Sequence, residues 1–102
     1  MSNNPQLRES VEWFAQQMEM KLRENDHKGG WDNCEINYLF SRLNEEVKEL
    51  KSSVARVGLK GNWADMPLSS STPLDVAREA ADVANFAMMI ADIIRKRMVS
   101  HV

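Results

Sequence analysis

Apolar side chains recur at intervals of three and four residues along three stretches of this 102-residue chain, the spacing that lines one face of an α-helix. In the first, Leu7, Val11, Phe14, Ala15, Met18 and Leu22 form the stripe. A helix is therefore expected from about Pro5, a residue suited to a first turn, to Asn25 or Asp26. The Gly29-Gly30 pair that follows permits a reversal of the backbone. The second stripe is Ile36, Leu39, Phe40, Leu43, Val47, Leu50, Val54 and Val57. Asp32 with Glu35 reads as its N-terminal capping pair, and Gly58 as its end. The third helix is expected from Pro73 to about Met98, capped by Ser71 or Thr72 with Asp75 completing the box. Its apolar arc is Val76, Ala80, Val83, Phe86, Ala87, Ile90 and Ile94, and Arg95, Lys96 and Arg97 suit the negative end of its dipole. Between the last two helices, residues 58–72 hold two glycines, a proline and a serine run, the composition of a loop.

No segment alternates in the manner of a strand, so the pattern predicts an all-α fold in one domain, residues 1–102. Ala77, Ala80, Ala81, Ala84, Ala87 and Ala91 spread over more than one face of the third helix, which is expected to pack on several neighbours, some of them in another subunit. A chain of this size buries only about 60–70% of its unfolded surface, and oligomerisation would enlarge the core. The formal charge of −2 argues against binding a nucleic-acid polymer, which needs a basic surface. Cys34 is the single cysteine; it cannot form an internal disulfide and reads as a packing residue. The opening residues lack the apolar core of a signal peptide, and no stretch reaches the roughly 20 apolar residues of a membrane span. A cytoplasmic protein with no membrane partner is expected.

Two carboxylates interrupt the third helix where apolar side chains belong. Glu79 falls inside the apolar arc, and Asp82 lies roughly 60° from it, flanked by Phe86, Met89 and Ile93. An unpaired buried carboxylate costs several kcal/mol, so both need partners. The second helix carries Glu45, Glu46 and Glu49 in Leu-Asn-Glu-Glu-Val-Lys-Glu-Leu. Glu46 lies within roughly 40° of Leu39, Leu50 and Val57, Glu49 about 60° from Glu46, and Glu45 about 100° round. Glu46 is therefore the innermost and Glu45 the most peripheral. Lys48 and Lys51 allow the plainer reading of a solvated charged face. Antiparallel packing of the two helices would bring Glu46 and Glu49 opposite Glu79 and Asp82, an all-oxygen set of the kind Mg²⁺ or Mn²⁺ prefers. Iron and zinc fit poorly, because His27 and His101 lie outside these motifs.

A magnesium cluster in a helical bundle suggests phosphate chemistry. Glu45, beside the ligands, is the candidate to orient or deprotonate water. Lys28 could pair with a phosphate and Trp31 could stack on a base, although Trp31 equally reads as a hydrophobic plug at the start of the second helix. Asn85 could recognise a sugar hydroxyl or a base edge, or be an ordinary surface hydrogen-bonder. Trp63 in the 58–72 loop reads as an anchor or a lid, while Trp13 and the seven methionines read as packing or interface residues.

Glu45-Glu46-x-x-Glu49 followed by Glu79-x-x-Asp82 resembles the paired signature of the MazG-like, all-α nucleoside triphosphate pyrophosphohydrolases. The surrounding words His27-Lys28-Gly29-Gly30-Trp31 and EAADVANFAMMIAD resemble a branch of phages and mobile bacterial elements that acts on deoxynucleotides. The resemblance covers nearly the whole chain. It implies Mg²⁺-dependent hydrolysis of a nucleoside triphosphate, in this branch a deoxynucleotide, between the α and β phosphates, in nucleotide-pool house-cleaning or dNTP-pool control. It also implies that Glu46, Glu49, Glu79 and Asp82 hold Mg²⁺ while Glu45 assists the water or a second ion. Three main helices completed into four-helix bundles by a homo-oligomer, dimer or dimer of dimers, are implied as well. A non-catalytic interaction or regulatory module with a structural cation is the alternative, and an acid-lined bundle without metal is a third.

Overall fold

The computed structural model describes residues 6–57 and 73–100. Among them the chain is all-helical: α1 spans Glu9–Glu24, α2 spans Ile36–Val57 and α3 spans Pro73–Ser100, with a single 3₁₀ turn at Asp26–Lys28 after α1. No helix of the described residues is long and apolar enough to cross a membrane.

The ends of the helices follow local chemistry. α1 starts at Glu9 rather than at Pro5, which lies outside the described residues; Arg8 takes the N-cap position, and Glu9 and Glu12 put negative charge in the first turn. The chain leaves α1 through stacked turns, Lys28 N–H donating to the Asn25 carbonyl at 2.9 Å and Gly29 N–H to that of Asp26 at 3.1 Å. Gly29 then takes a φ of +88°, a conformation that disfavours a Cβ. The capping pair expected of Asp32 and Glu35 does not form. The Glu35 carbonyl accepts the first helical bond, from Leu39 N–H at 3.1 Å, while the Asp32 carboxylate takes a bond from Lys96 Nζ at 2.6 Å. A long-range ion pair thus replaces the local cap. Pro73 opens α3 as expected, and the helix runs on to Ser100. Gly58, the 58–72 loop with Trp63, the Ser71 or Thr72 cap and His101 lie outside the described residues.

α3 is the hub, in contact with both α1 and α2. Its register against each is antiparallel. Along α1, Glu24 pairs with Arg78 at 2.7 Å, Lys21 with Asp82 at 3.5 Å, and Met18 with Asn85 at 3.1 Å. Along α2, Arg42 lies over Phe86 and Glu46, one turn later, sits by Asp82 and Glu79. α1 and α2 therefore run in the same direction on either flank of α3.

The face of α3 that goes deepest is not the expected apolar arc. Ala81, Asn85 and Asp92 are buried together with Ile93, whereas Ala87 is exposed and Ile94 is 43% exposed. The reason is packing at close quarters. Two helices approach α3 from its acid-bearing side, and a methyl side chain at Ala81, fully buried, lets the backbones come close where a larger residue would hold them apart. On α2 the stripe holds at Leu39, which is fully buried, but Phe40 stands 48% exposed, and Glu46 and Ser53 are buried in its place. Arg56 satisfies Ser53 by donating to its hydroxyl at 3.1 Å. In α1 no side chain is buried; Leu7 and Val11 are exposed, and Phe14, Met18 and Leu22 of the stripe are half-buried.

The buried apolar set among the described residues is thus Leu39, Ala81 and Ile93. With so little apolar burial, the contact at Ala81 is decisive. Ala81→Leu is expected to wedge the helices apart and lower unfolding free energy by about 1–3 kcal/mol, measured by circular dichroism in a denaturant titration, whereas Ala87→Leu on the exposed face is expected to change it by less than about 0.5 kcal/mol.

Candidate metal centre

Helix spacing brings the acids together. Glu79 and Asp82 are one turn apart on α3, Glu46 faces them from α2, and one carboxylate oxygen of each lies within 4.8 Å of the other two. Glu46 is 7% exposed. One of its oxygens accepts from Arg42 Nη2 at 3.1 Å, but the second, Oε2, is buried with no hydrogen-bond partner, and so is Glu79 Oε2. Buried acceptors left without a donor are rare in folded proteins and costly. Here two of them belong to residues of one trio.

The charges respond accordingly. Burial, then the nearby charges of Glu49 and Asp82, push the Glu46 carboxyl up to about 7, against a smaller opposing pull from Arg42. Glu79 is raised by burial and by Glu49 and Asp82. Asp82 is raised by burial, opposed by the Lys21 ammonium. Such a set releases this strain by binding protons or a cation. Its donors are all carboxylate oxygens, the hard ligands suited to Mg²⁺ or Mn²⁺, and the partnerless oxygens of Glu46 and Glu79 fit that role.

The four expected ligands do not all converge. Glu49 is exposed and outside the trio, yet within hydrogen-bonding reach of the Glu46 carboxyl, and it lines a depression with Lys48, Ser52, Arg56 and Glu79. Its charge reaches Glu46 and Glu79. Glu45 stays out of the cluster. Its carboxylate is exposed and paired with Arg42, one turn earlier on α2. Of the inward order anticipated for α2, Glu46 first, Glu49 next and Glu45 outermost, the first place is observed, while Glu49 and Glu45 are both exposed.

Beside the trio opens a cleft of about 390 Å³, with Glu46 and Asp82 at one end and Trp31 toward the other. Arg42 lies over the Phe86 ring, 5.2 Å from its centroid, a cation–π stack that fixes a guanidinium beside the acids. Lys21, bonded to Asp82, also lines the cleft, and Lys28 and Gly29 form part of its edge. Trp31 is neither a simple plug nor a free platform: its indole Nε1 donates to Asp92 Oδ2 at 3.0 Å while the residue lines the cleft. Asn85 is not a surface hydrogen-bonder. It is 4% exposed, its Nδ2 donates to the Met18 carbonyl, and its Oδ1 is buried without a partner.

Sequence reasoning missed three residues. Lys21 and Arg42 line the cleft beside the acids. Asp92 gathers Trp31, Arg95 at 2.7 Å and Lys96 at 2.9 Å. Bonds from Lys96, Arg95 and Trp31 hold its carboxyl well below the usual range. The available signals were the i, i+3 and i, i+4 cations after Asp92 and the need of a buried indole N–H for an acceptor. The C-terminal cations Arg95 and Lys96 thus serve Asp92 rather than only the helix dipole.

The chain matches no protein-family profile, no curated protein and no solved structure.

A carboxyl raised in the folded state makes the fold bind more protons than the unfolded chain between about pH 4.5 and 7. Without divalent cations, stability is therefore expected to fall as pH rises through that window and to level off above it. Glu46→Gln, which keeps an acceptor for Arg42, is expected to flatten this slope and raise the melting temperature at pH 7.5, as read by thermal unfolding in EDTA.

Proposed function

We propose that this protein is a Mg²⁺-dependent nucleoside triphosphate pyrophosphohydrolase of the MazG-like, all-α kind that its acid motifs resemble. The observation that carries the reading is the convergence of Glu46, Glu79 and Asp82, two of them with partnerless buried oxygens, at one end of a cleft that also holds cations and an indole.

In this reading Glu46, Glu79 and Asp82 hold the ion, with Glu49 joining from the flank. A bound Mg²⁺ would neutralise phosphate oxygens and acidify water. The side chains of the chain itself do the rest. Arg42 and Lys21, set beside the acids, turn to the oxygens of the triphosphate, and Lys28 meets it from the edge of the cleft. Trp31 stacks on the base. Glu45, carried next to Glu46 and released as Arg42 turns to phosphate, accepts the proton of the attacking water. The water oxygen bonds to the α-phosphorus, the bond from that phosphorus to the α–β bridging oxygen breaks, and pyrophosphate leaves with the electron pair. A deoxynucleoside triphosphate is the substrate proposed.

The assembly proposed is a homo-oligomer, dimer or dimer of dimers, in which the three helices are completed into four-helix bundles. Supporting it are the unburied apolar side chains on every helix, among them Val11, Trp13, Phe40, Leu74, Ile94 and Met98, more than a monomer with so small a core would expose without cost.

Pure protein with a dNTP and Mg²⁺ is expected to release nucleoside monophosphate and pyrophosphate, and neither in EDTA, as identified by chromatography. Glu46→Gln and Asp82→Asn are each expected to lower kcat at least about 100-fold with helicity intact, and Glu45→Gln about 100-fold. Diphosphate and orthophosphate as products would overturn the bond assignment. A cation-dependent rise in melting temperature with no product would favour the non-catalytic module with a structural cation.

A further inference from the structure

The cleft has two ends on one helix. Asp82 stands at the acid end, and Asp92, ten residues later, stands behind Trp31, about 15 Å along the axis of α3. Phe86 and Met89 line the cleft between them. A molecule whose phosphates meet the acids would therefore carry its opposite end toward Trp31.

Trp31 is held there by a specific device. It belongs to the irregular stretch between the 3₁₀ turn and α2, tied locally by the bond from Cys34 N–H to the Trp31 carbonyl, 3.0 Å. A short irregular segment of this kind leaves an indole free to swing. The indole Nε1–H, however, donates to Asp92 Oδ2 at 3.0 Å. Asp92 is itself held on α3, where Arg95 Nε donates to its Oδ1 at 2.7 Å and Lys96 Nζ to its Oδ2 at 2.9 Å. Lys96 reaches back to Asp32, the next residue after Trp31, at 2.6 Å. Two adjacent residues of the irregular segment are thus pinned to one ion cluster on α3, Trp31 to Asp92 and Asp32 to Lys96. Asp92 is 9% exposed, and its bond to Trp31 is partly buried.

We propose that Asp92 is a positioning residue that fixes the Trp31 indole by its edge so that the ring serves as a stacking wall for a planar heterocyclic base. Fixing the ring in advance removes the ordering cost that a free side chain would incur on binding. The consequence is selective: Asp92 acts on the base half of the ligand and leaves the phosphate half alone. This inference rests on the nucleotide reading of the cleft, and its test separates the two.

The probes are a dNTP and inorganic tripolyphosphate, which has the same phosphate chain and no base. The proteins are wild type, Asp92→Ala, Trp31→Phe and the double variant. Asp92→Ala is expected to raise KM for the dNTP about tenfold with kcat changed less than about twofold, and to leave KM for tripolyphosphate within about twofold. In the Trp31→Phe background, which has no indole N–H at position 31, adding Asp92→Ala is expected to raise KM no further. Nitrogen–proton correlation spectra supply a readout independent of turnover and of the stability of the variants: one indole N–H of the wild-type protein, assigned to Trp31 by its absence from Trp31→Phe, is expected to be protected from solvent exchange.

Equal KM increases for both compounds, or additive effects in the double variant, would overturn the inference while leaving the pyrophosphohydrolase reading intact. A Trp31 indole N–H in fast exchange in the wild-type protein would overturn it alone as well. Cleavage of neither compound would overturn the reading and the inference together.

Discussion

Everything in this molecule turns on carboxylates buried where two helices meet. Glu46, Glu79 and Asp82 occupy positions in the α2–α3 contact that periodicity reserves for apolar side chains, and their oxygens converge within 4.8 Å. Mutual repulsion and burial both oppose ionisation there. The fold meets that constraint only in part. Arg42 reaches one oxygen of Glu46 and Lys21 reaches Asp82, but the second oxygens of Glu46 and Glu79 stay without a donor. A protein selected only for stability would do better with apolar residues of similar volume. The residual strain is the physical ground for reading the cluster as a site.

The antiparallel register of α3 against both neighbours explains why the cations and the cleft lie where they do. Along α1 the register puts Lys21 level with Asp82 and Met18 level with Asn85; along α2 it puts Glu46 at that same level. One turn in either direction would separate the cations from the acids. The close approach that this requires comes from Ala81, fully buried, at a cost in apolar burial. Leu39, Ala81 and Ile93 make a small core, while the arc of Val76, Ala80, Val83, Ala87 and Ile94 is left half-covered or exposed. The same choice that creates the site therefore leaves α3 with a second apolar face, in keeping with a proposed partner copy of the chain.

The three helices and the inward place of Glu46 were legible in the sequence, because both follow from a period of about 3.6 residues. Glu46 is aligned with Leu39 and Leu50 on the wheel whatever α2 packs against. Other features depend on which helix lies alongside, and periodicity carries no such information. The deep face of α3 runs through Ala81, Asn85 and Asp92 instead of Val83 and Ile90, since two neighbours approach from the acid side. Asp32 forgoes its cap for Lys96, an interaction across 64 residues. Glu45 was placed at the periphery correctly, but its pairing with Arg42 depends on rotamers, and Asn85, which the sequence left open as a surface residue, is buried through a bond to α1.

Whether Glu46, Glu79 and Asp82 form a cation site is read from binding of Mn²⁺ followed by electron paramagnetic resonance, since the free ion gives a sharp signal that coordination broadens. Wild-type protein is expected to deplete the free signal to at least one ion per chain at neutral pH. A chain carrying both Glu46→Gln and Asp82→Asn, with helicity preserved, is expected not to. An undiminished free signal with wild-type protein, or equal binding by the doubly substituted chain, would contradict a cation site there.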